Sequence, residues 1–247
     1  MAKLAGGDYV FKDVANWLED AQVDHRPDLA LYPTHAEATS MYKLEDDVFK
    51  RSTASSLRKP YIARCAYPWM VAAIEVKKEG AETGFGFKSN EPLLRATEDA
   101  YKIRSQFATY AAELMLREQR THVFTVFIAG WCARIFRWDR NGTLVSHPID
   151  LRTESKHLFN FFYRLIRSNG SVQGFDPTAT LASDAEIDLL RRYMPCNQYL
   201  SRYKDMILDN GDNYPIYVVC AARFSVSHLT NDPLADRVRR GPPIHRK

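Results

Sequence analysis

Three side chains have types and contexts that could do chemistry together. Asp28 follows Pro27, and 47 residues later Glu75 and Lys77 flank Val76. Two neighbouring carboxylates hold a hard divalent cation, Mg2+ or Mn2+, through oxygen. Such an ion polarises a phosphoryl oxygen and lowers the pKa of a bound water. A lysine beside it adds fixed positive charge at the attacked phosphate, or orients the water. The chemistry that suits this set is metal-assisted phosphodiester hydrolysis, with Asp28, Glu75 and Lys77 catalytic and Asp28 and Glu75 binding the metal. An E-x-K triplet is common by itself, and a charged strand end is ordinarily a solvated edge. Its value here comes from the elements around it.

Those elements can be read from the spacing of apolar residues. Residues 69–77 are a nearly continuous apolar run ending in charge, which predicts a buried strand whose last residues emerge from the core. Alternation along that strand puts Glu75 and Lys77 on one face and turns Val76 into the core. Leu29, Leu31 and Tyr32 predict a short strand after Pro27, so neighbouring strands would bring Asp28 to Glu75. Ahead of it, Tyr9, Val10, Val14, Trp17 and Leu18 recur at helical spacing, predicting a helix over 8–21 with Asp8 as its N-cap. Residues 34–60 read as a polar, helix-tolerant insertion. Residues 79–92 read as a loop in which Gly80, Gly84 and Gly86 supply flexibility, and 93–119 as the longest helix. Residues 122–129, 132–138 and 143–147 predict an antiparallel meander, with Asp139–Gly142 as a hairpin turn. A helix follows over 157–167 and two helical pieces, broken at Pro195, over 185–208, then a strand over 215–226 and a basic tail over 237–247.

This order resembles the PD-(D/E)XK nucleases, in particular their RecB-like branch. That branch adds a Q-x-x-x-Y motif on the helix after E-x-K, and Gln106 and Tyr110 match it. The resemblance implies an α/β (α+β) fold with a restriction-endonuclease-like core. A mixed central sheet would be flanked by helices, with the 34–60 insertion and a C-terminal helical elaboration in a single domain over 1–236. It implies that Gln106 and Tyr110 brace the site or position nucleic acid. It also offers Glu19 or Asp20 as a further metal ligand, as some members use. An amide beside Ile103 and Phe107 needs a polar partner in any case. A second likeness covers more of the chain. The run from Trp69 to Lys77, the long helix and the segment ARIFRWDRNGTLVS resemble the N-terminal region of fungal-type protein kinases, including fungal killer proteins whose nuclease-like part precedes a kinase. Longer relatives would then carry a kinase domain in cis. The kinase itself is missing from this sequence: there is no Gly-rich phosphate loop before a lysine strand, no His-Arg-Asp loop and no Asp-Phe-Gly.

Composition bounds the alternatives. A net charge of +4 suits a polyanionic partner without requiring one. Lys77, Lys78, Lys88, Arg95, Lys102, Arg104, Arg117 and Arg120 could form a phosphate-binding rim, with Lys78 and Arg104 as supporting contacts to nucleic acid. The plainer reading pairs the helix cations with Glu91, Glu98, Asp99, Glu113 and Glu118. The seven histidines show no HExxH spacing and the four cysteines no CxxC, which argues against zinc. No G-x-S-x-G elbow is present. No apolar run approaches a membrane span and the N-terminus has no signal-peptide layout, so an intracellular chain, cytoplasmic or nuclear, is expected. The function expected is a Mg2+- or Mn2+-dependent nuclease acting on DNA. The alternative is a non-catalytic nuclease-fold module that binds nucleic acid or protein, or regulates a kinase. A toxin role fits either, and the aromatic helix 157–167 is core or a self-association surface.

Overall fold

A computed structural model describes residues 8–16, 25–44, 58–88, 90–117, 119–181, 185 and 217–219. Two compact units divide the chain, Met1–Asp176 and Pro177–Lys247. In the second, β8 (Ala179–Leu181) pairs antiparallel with β9 (Tyr217–Val219). The strand expected over 215–226 is borne out at 217–219. The helical pieces expected over 185–208 lie outside the described residues apart from Ala185, and the basic tail lies outside them entirely.

The first unit is a mixed α/β structure built on a seven-stranded sheet. Six strands run in the order β1 (Tyr9–Asp13), β2 (Leu29–Pro33), β3 (Ala72–Lys77), β4 (His122–Ala129), β5 (Cys132–Asp139) and β6 (Gly142–Val145), and β7 (Ile149–Asp150) also pairs with β5. The β3–β4 pair is parallel and the other neighbours are antiparallel. A parallel pair requires a long crossover, which contains the helix α2 (Glu98–Arg117). The meander β4–β5–β6 turns where expected: Asp139 Oδ1 accepts the amides of Asn141 and Gly142 at 2.9 and 3.2 Å.

Each face of the sheet carries a core. On one, Phe11, Leu31, Ile74 and Val126 pack with Leu158 and Phe162 of helix α3 (Ser155–Arg167). On the other, Phe107 of α2 lies 5.4 Å from Phe127 and 4.9 Å from Phe136, ring centre to ring centre. A buried phenylalanine contributes roughly 2–3 kcal/mol. Both cores meet at β3, whose residues Ala72–Glu75 are all buried.

The structure departs from the expected elements in specific places. Residues 9–13 form a strand, not the start of a helix, and Asp8 caps nothing: its carbonyl accepts the Thr34 amide at 3.0 Å. The segment YVFKD satisfies both periods. Pairing along all five residues of β2 decides for the strand. Strand β3 starts at Ala72 because Pro68 opens a 3-10 turn over Tyr67–Trp69. Helix α2 starts at Glu98, not 93. Phe85 bridges Leu94 and the Gly84 carbonyl accepts the Arg95 amide, so 93–95 stay out of the helix; Thr97 then takes the Ala100 amide on its hydroxyl. Gly84 and Gly86 are close-packing positions, not points of freedom. A Cβ on Gly84 would lie 2.7 Å from Arg104 Cγ, and one on Gly86 2.3 Å from the Pro92 carbonyl oxygen. The 34–60 insertion lies between β2 and β3, and its described parts are helix α1 (Ala36–Tyr42) and a 3-10 turn over Lys59–Tyr61. A short helix that the sequence reading missed, α4 (Gly170–Gln173), follows α3.

Candidate active site

Asp28, Glu75 and Lys77 come together at the end of the β2–β3 pair. Leu29 stands opposite Ile74, so the next step of the antiparallel ladder sets Asp28 opposite Glu75. Residues directly opposite share a face, with Cα atoms roughly 4.5–5.5 Å apart. Asp28 Oδ2 accepts the amide of Val76 at 2.7 Å. Its other carboxylate oxygen has no hydrogen-bond partner among the described residues. Lys77 Nζ lies 2.5 Å from Glu75 Oε1. Glu75 is 3% exposed, unusual for a carboxylate.

Helix α2 closes the site from above. The Tyr110 hydroxyl lies 3.1 Å from Glu75 Oε2 and 2.7 Å from the Arg26 carbonyl, and it accepts from Gln106 Nε2 at 2.7 Å. One side chain therefore spans the entry to β2, the end of β3 and the middle of α2. Gln106 and Tyr110 fall one helical turn apart, which is why the amide reaches the hydroxyl.

The electrostatics follow from burial. Desolvation pushes the Glu75 carboxyl above the ordinary carboxylate range, the Lys77 hydrogen bond pulls it back, and the Asp28 charge raises it again. Burial, and then the Glu75 charge, raise the Tyr110 hydroxyl, which stays protonated and serves as a donor. An oxygen-only donor set of two carboxylates suits Mg2+ or Mn2+, which take one or two carboxylates and keep waters. Among the described residues no group of three or more His, Cys, Asp or Glu could hold a metal ion. Glu19 and Asp20, the candidates for a further ligand, lie outside those residues.

Several expected roles change. Val76 does not enter the core: at the last-but-one position of β3 it is 39% exposed. Arg120 is not a rim residue. It is 1% exposed, and its guanidinium donates to the carbonyls of Val71 and Met70 at 3.0 Å each and of Gln173 at 3.3 Å. It rivets the approach to β3 onto the end of α4. Arg104 turns to the carbonyls of Gly84 and Arg95 at 3.0 and 2.6 Å, where it fixes the loop before α2. Lys102 pairs with Glu98, Arg95 with Glu91 and Arg117 with Glu113, so the helix cations follow the ion-paired reading. Lys78 is exposed next to the site. His25 contributes its carbonyl to the Tyr67 hydroxyl at 2.9 Å, and its side chain is exposed. Sequence reasoning missed Arg26, whose backbone carbonyl receives Tyr110 and whose identity carries no such signal.

Residues 92–204 match the family model described as fungal protein kinase. The match covers just under half of the chain. It takes in Gln106 and Tyr110 and begins after Asp28, Glu75 and Lys77, and it bears out the likeness to fungal-type kinases seen in the sequence. No curated protein matches the chain, and no solved structure does. Among the described residues no helix is long and apolar enough to cross a membrane.

Proposed function

We propose that this chain is a metal-dependent nuclease that hydrolyses phosphodiester bonds of nucleic acid, DNA in the first instance. The observation that carries the reading is the Asp28 carboxylate held on the Val76 amide at 2.7 Å, next to a buried Glu75 whose carboxylate lies 2.5 Å from Lys77. Asp28 and Glu75 would hold Mg2+ or Mn2+, which when bound supplies Lewis-acid polarisation and a more acidic water. Lys77 is 29% exposed, so its ammonium can leave Glu75 for a phosphate oxygen and neutralise charge there. Tyr110 holds the Glu75 carboxylate in one orientation, and Gln106 holds Tyr110. The low-dielectric setting of Glu75 strengthens each of these interactions.

A second reading has its own support. Both oxygens of Glu75 already have partners, Lys77 and Tyr110, and such a set is stable as a structural ion pair. This set fits a non-catalytic module that binds nucleic acid or a protein partner, or regulates a kinase, the last in keeping with the family match over 92–204.

Incubation of the pure protein with supercoiled, linear and single-stranded DNA, in Mg2+, Mn2+ or EDTA, separates the two. Cleavage that needs metal and disappears in Glu75→Ala and Lys77→Ala supports the nuclease. Folded protein that cuts none of these substrates transfers the weight to the module.

A further inference from the structure

A basic cleft lies on the same face of the sheet, away from Asp28 and Glu75. Helix α1, strand β1 and the 3-10 turn at 59–61 enclose a cleft of about 290 Å³. Lys12, Lys43 and Lys59 line it with Thr39 and Tyr42, and among the described residues no carboxylate lines it. Lys12 is the informative member. Its ammonium donates to the Pro60 carbonyl at 2.9 Å and lies 5.7 Å from the centre of the Tyr42 ring. Among the described residues no Asp or Glu pairs with it. Burial holds this amine below the ordinary lysine value. A partly desolvated cation with one carbonyl and one ring face for company is an incomplete arrangement. An anion would complete it, and Lys43 adds an exposed ammonium at the same opening.

The sheet fixes where this cleft lies relative to the carboxylates. Lys12 stands opposite Ala30, and Ala30 opposite Ala73, in one row across β1, β2 and β3. Asp28 and Glu75 form the next row on that face, since alternate residues share a face. Two strand spacings across and one two-residue step along place the backbones of Lys12 and Glu75 about 12 Å apart. At roughly 3.4 Å of rise per phosphate, one nucleic-acid strand covers that distance with three to four phosphates.

We infer that the Lys12 cleft binds phosphate groups of a nucleic-acid strand, as an anchoring subsite apart from the Asp28–Glu75 pair. That the same strand continues to Glu75 rests on the nuclease reading; phosphate binding in the cleft does not. Strand polarity and sequence are immaterial to such a contact, because it reads charge.

The test is fluorescence anisotropy of a labelled single-stranded oligonucleotide in EDTA over a salt series, where cleavage plays no part. Lys12→Met keeps the apolar stem and loses the charge. Lys43→Met does the same at an exposed position, so the test survives if the Lys12 variant fails to fold. Each is expected to weaken binding several-fold and to lower the slope of log K against log salt by about 0.7. Lys102→Met, which removes an ion-paired lysine on α2, is expected to change neither. An unchanged slope in both cleft variants overturns the inference, as does an equal loss in Lys102→Met. Displacement of the oligonucleotide by inorganic phosphate or a mononucleotide at matched phosphate concentration overturns the nucleic-acid source in favour of a small phosphate ligand. Loss of binding in the cleft variants, from a protein that never cuts DNA, sustains the subsite and removes the nuclease.

Discussion

Asp28 is fastened to β3 by its own side chain: Oδ2 accepts the Val76 amide at 2.7 Å, one residue past Glu75. The carboxylate thus completes the strand pairing and faces Glu75 at the same time. An asparagine can accept the same amide while removing the charge. Asp28→Asn is expected to keep stability within about 1 kcal/mol of the parent and to lose metal-dependent cleavage by two or more orders of magnitude. Asp28→Ala is expected to lose both. Urea unfolding beside the cleavage assay reads the two effects separately.

Glu75 makes the fold pH-sensitive in a direction set by its burial. Its carboxyl titrates above the ordinary value of 4.5, so the folded state binds the proton more tightly than the unfolded one. Ionisation therefore costs stability. The penalty is absent well below pH 4.5, grows as pH rises from there through the elevated pKa, and is complete above it. Glu75→Gln in EDTA is expected to melt higher than the parent at pH 8, with the gap closing towards pH 4. Added Mg2+ is expected to narrow the gap at pH 8 by stabilising the parent alone. A gap of the same size at both pH values would show that desolvation of the carboxylate is not its cause.

Tyr110 joins Arg26 to Glu75 through one hydroxyl. Tyr110→Phe leaves the ring packed and removes the link, so a loss of about 1–2 kcal/mol is expected, together with slower cleavage. Gln106→Ala leaves the hydroxyl in place and is expected to cost less on both counts. Chemical denaturation of the two variants and their double mutant measures the coupling, which is expected to be non-additive because the groups touch.

Arg120 donates to three carbonyls from a fully buried position, and Phe175 lies 4.2 Å from its guanidinium. A lysine has neither the fork geometry nor the spread of donors. Arg120→Lys is therefore expected to lose several kcal/mol, in the range of breaking a buried charged network. Arg137→Lys, at a half-buried ion pair near the surface, is expected to stay within about 1 kcal/mol. Differential scanning calorimetry of both tests the contrast.

The strands that carry the site were legible because each has only one reading. Residues 72–77 are too apolar for a surface helix, and the Asp139–Gly142 turn sets the meander. The segment 9–13 was not, since Tyr9, Val10 and Phe11 followed by Lys12 and Asp13 fit a helical face as well as a pleat; only its partner β2 decides. Asp28, Glu75 and Lys77 could be grouped from strand order, and their juxtaposition follows from the register. Arg120 could not be placed, because a cation after a helix looks solvated until the backbone carbonyls around it are known. Lys12 was equally silent: its setting between the Pro60 carbonyl and the Tyr42 ring is a property of three segments that meet only in space.

Strand β3 is interior to the sheet, with an antiparallel neighbour on one side and a parallel one on the other. A slip of one residue along either partner would turn Glu75 and Lys77 through to the opposite face and bring Val76 beside Asp28. A strand paired on both edges is held in register from both sides, so such a slip has to break both ladders. Damage to the distant pairings of β4 would therefore loosen the register that sets Glu75 beside Asp28 without touching either carboxylate.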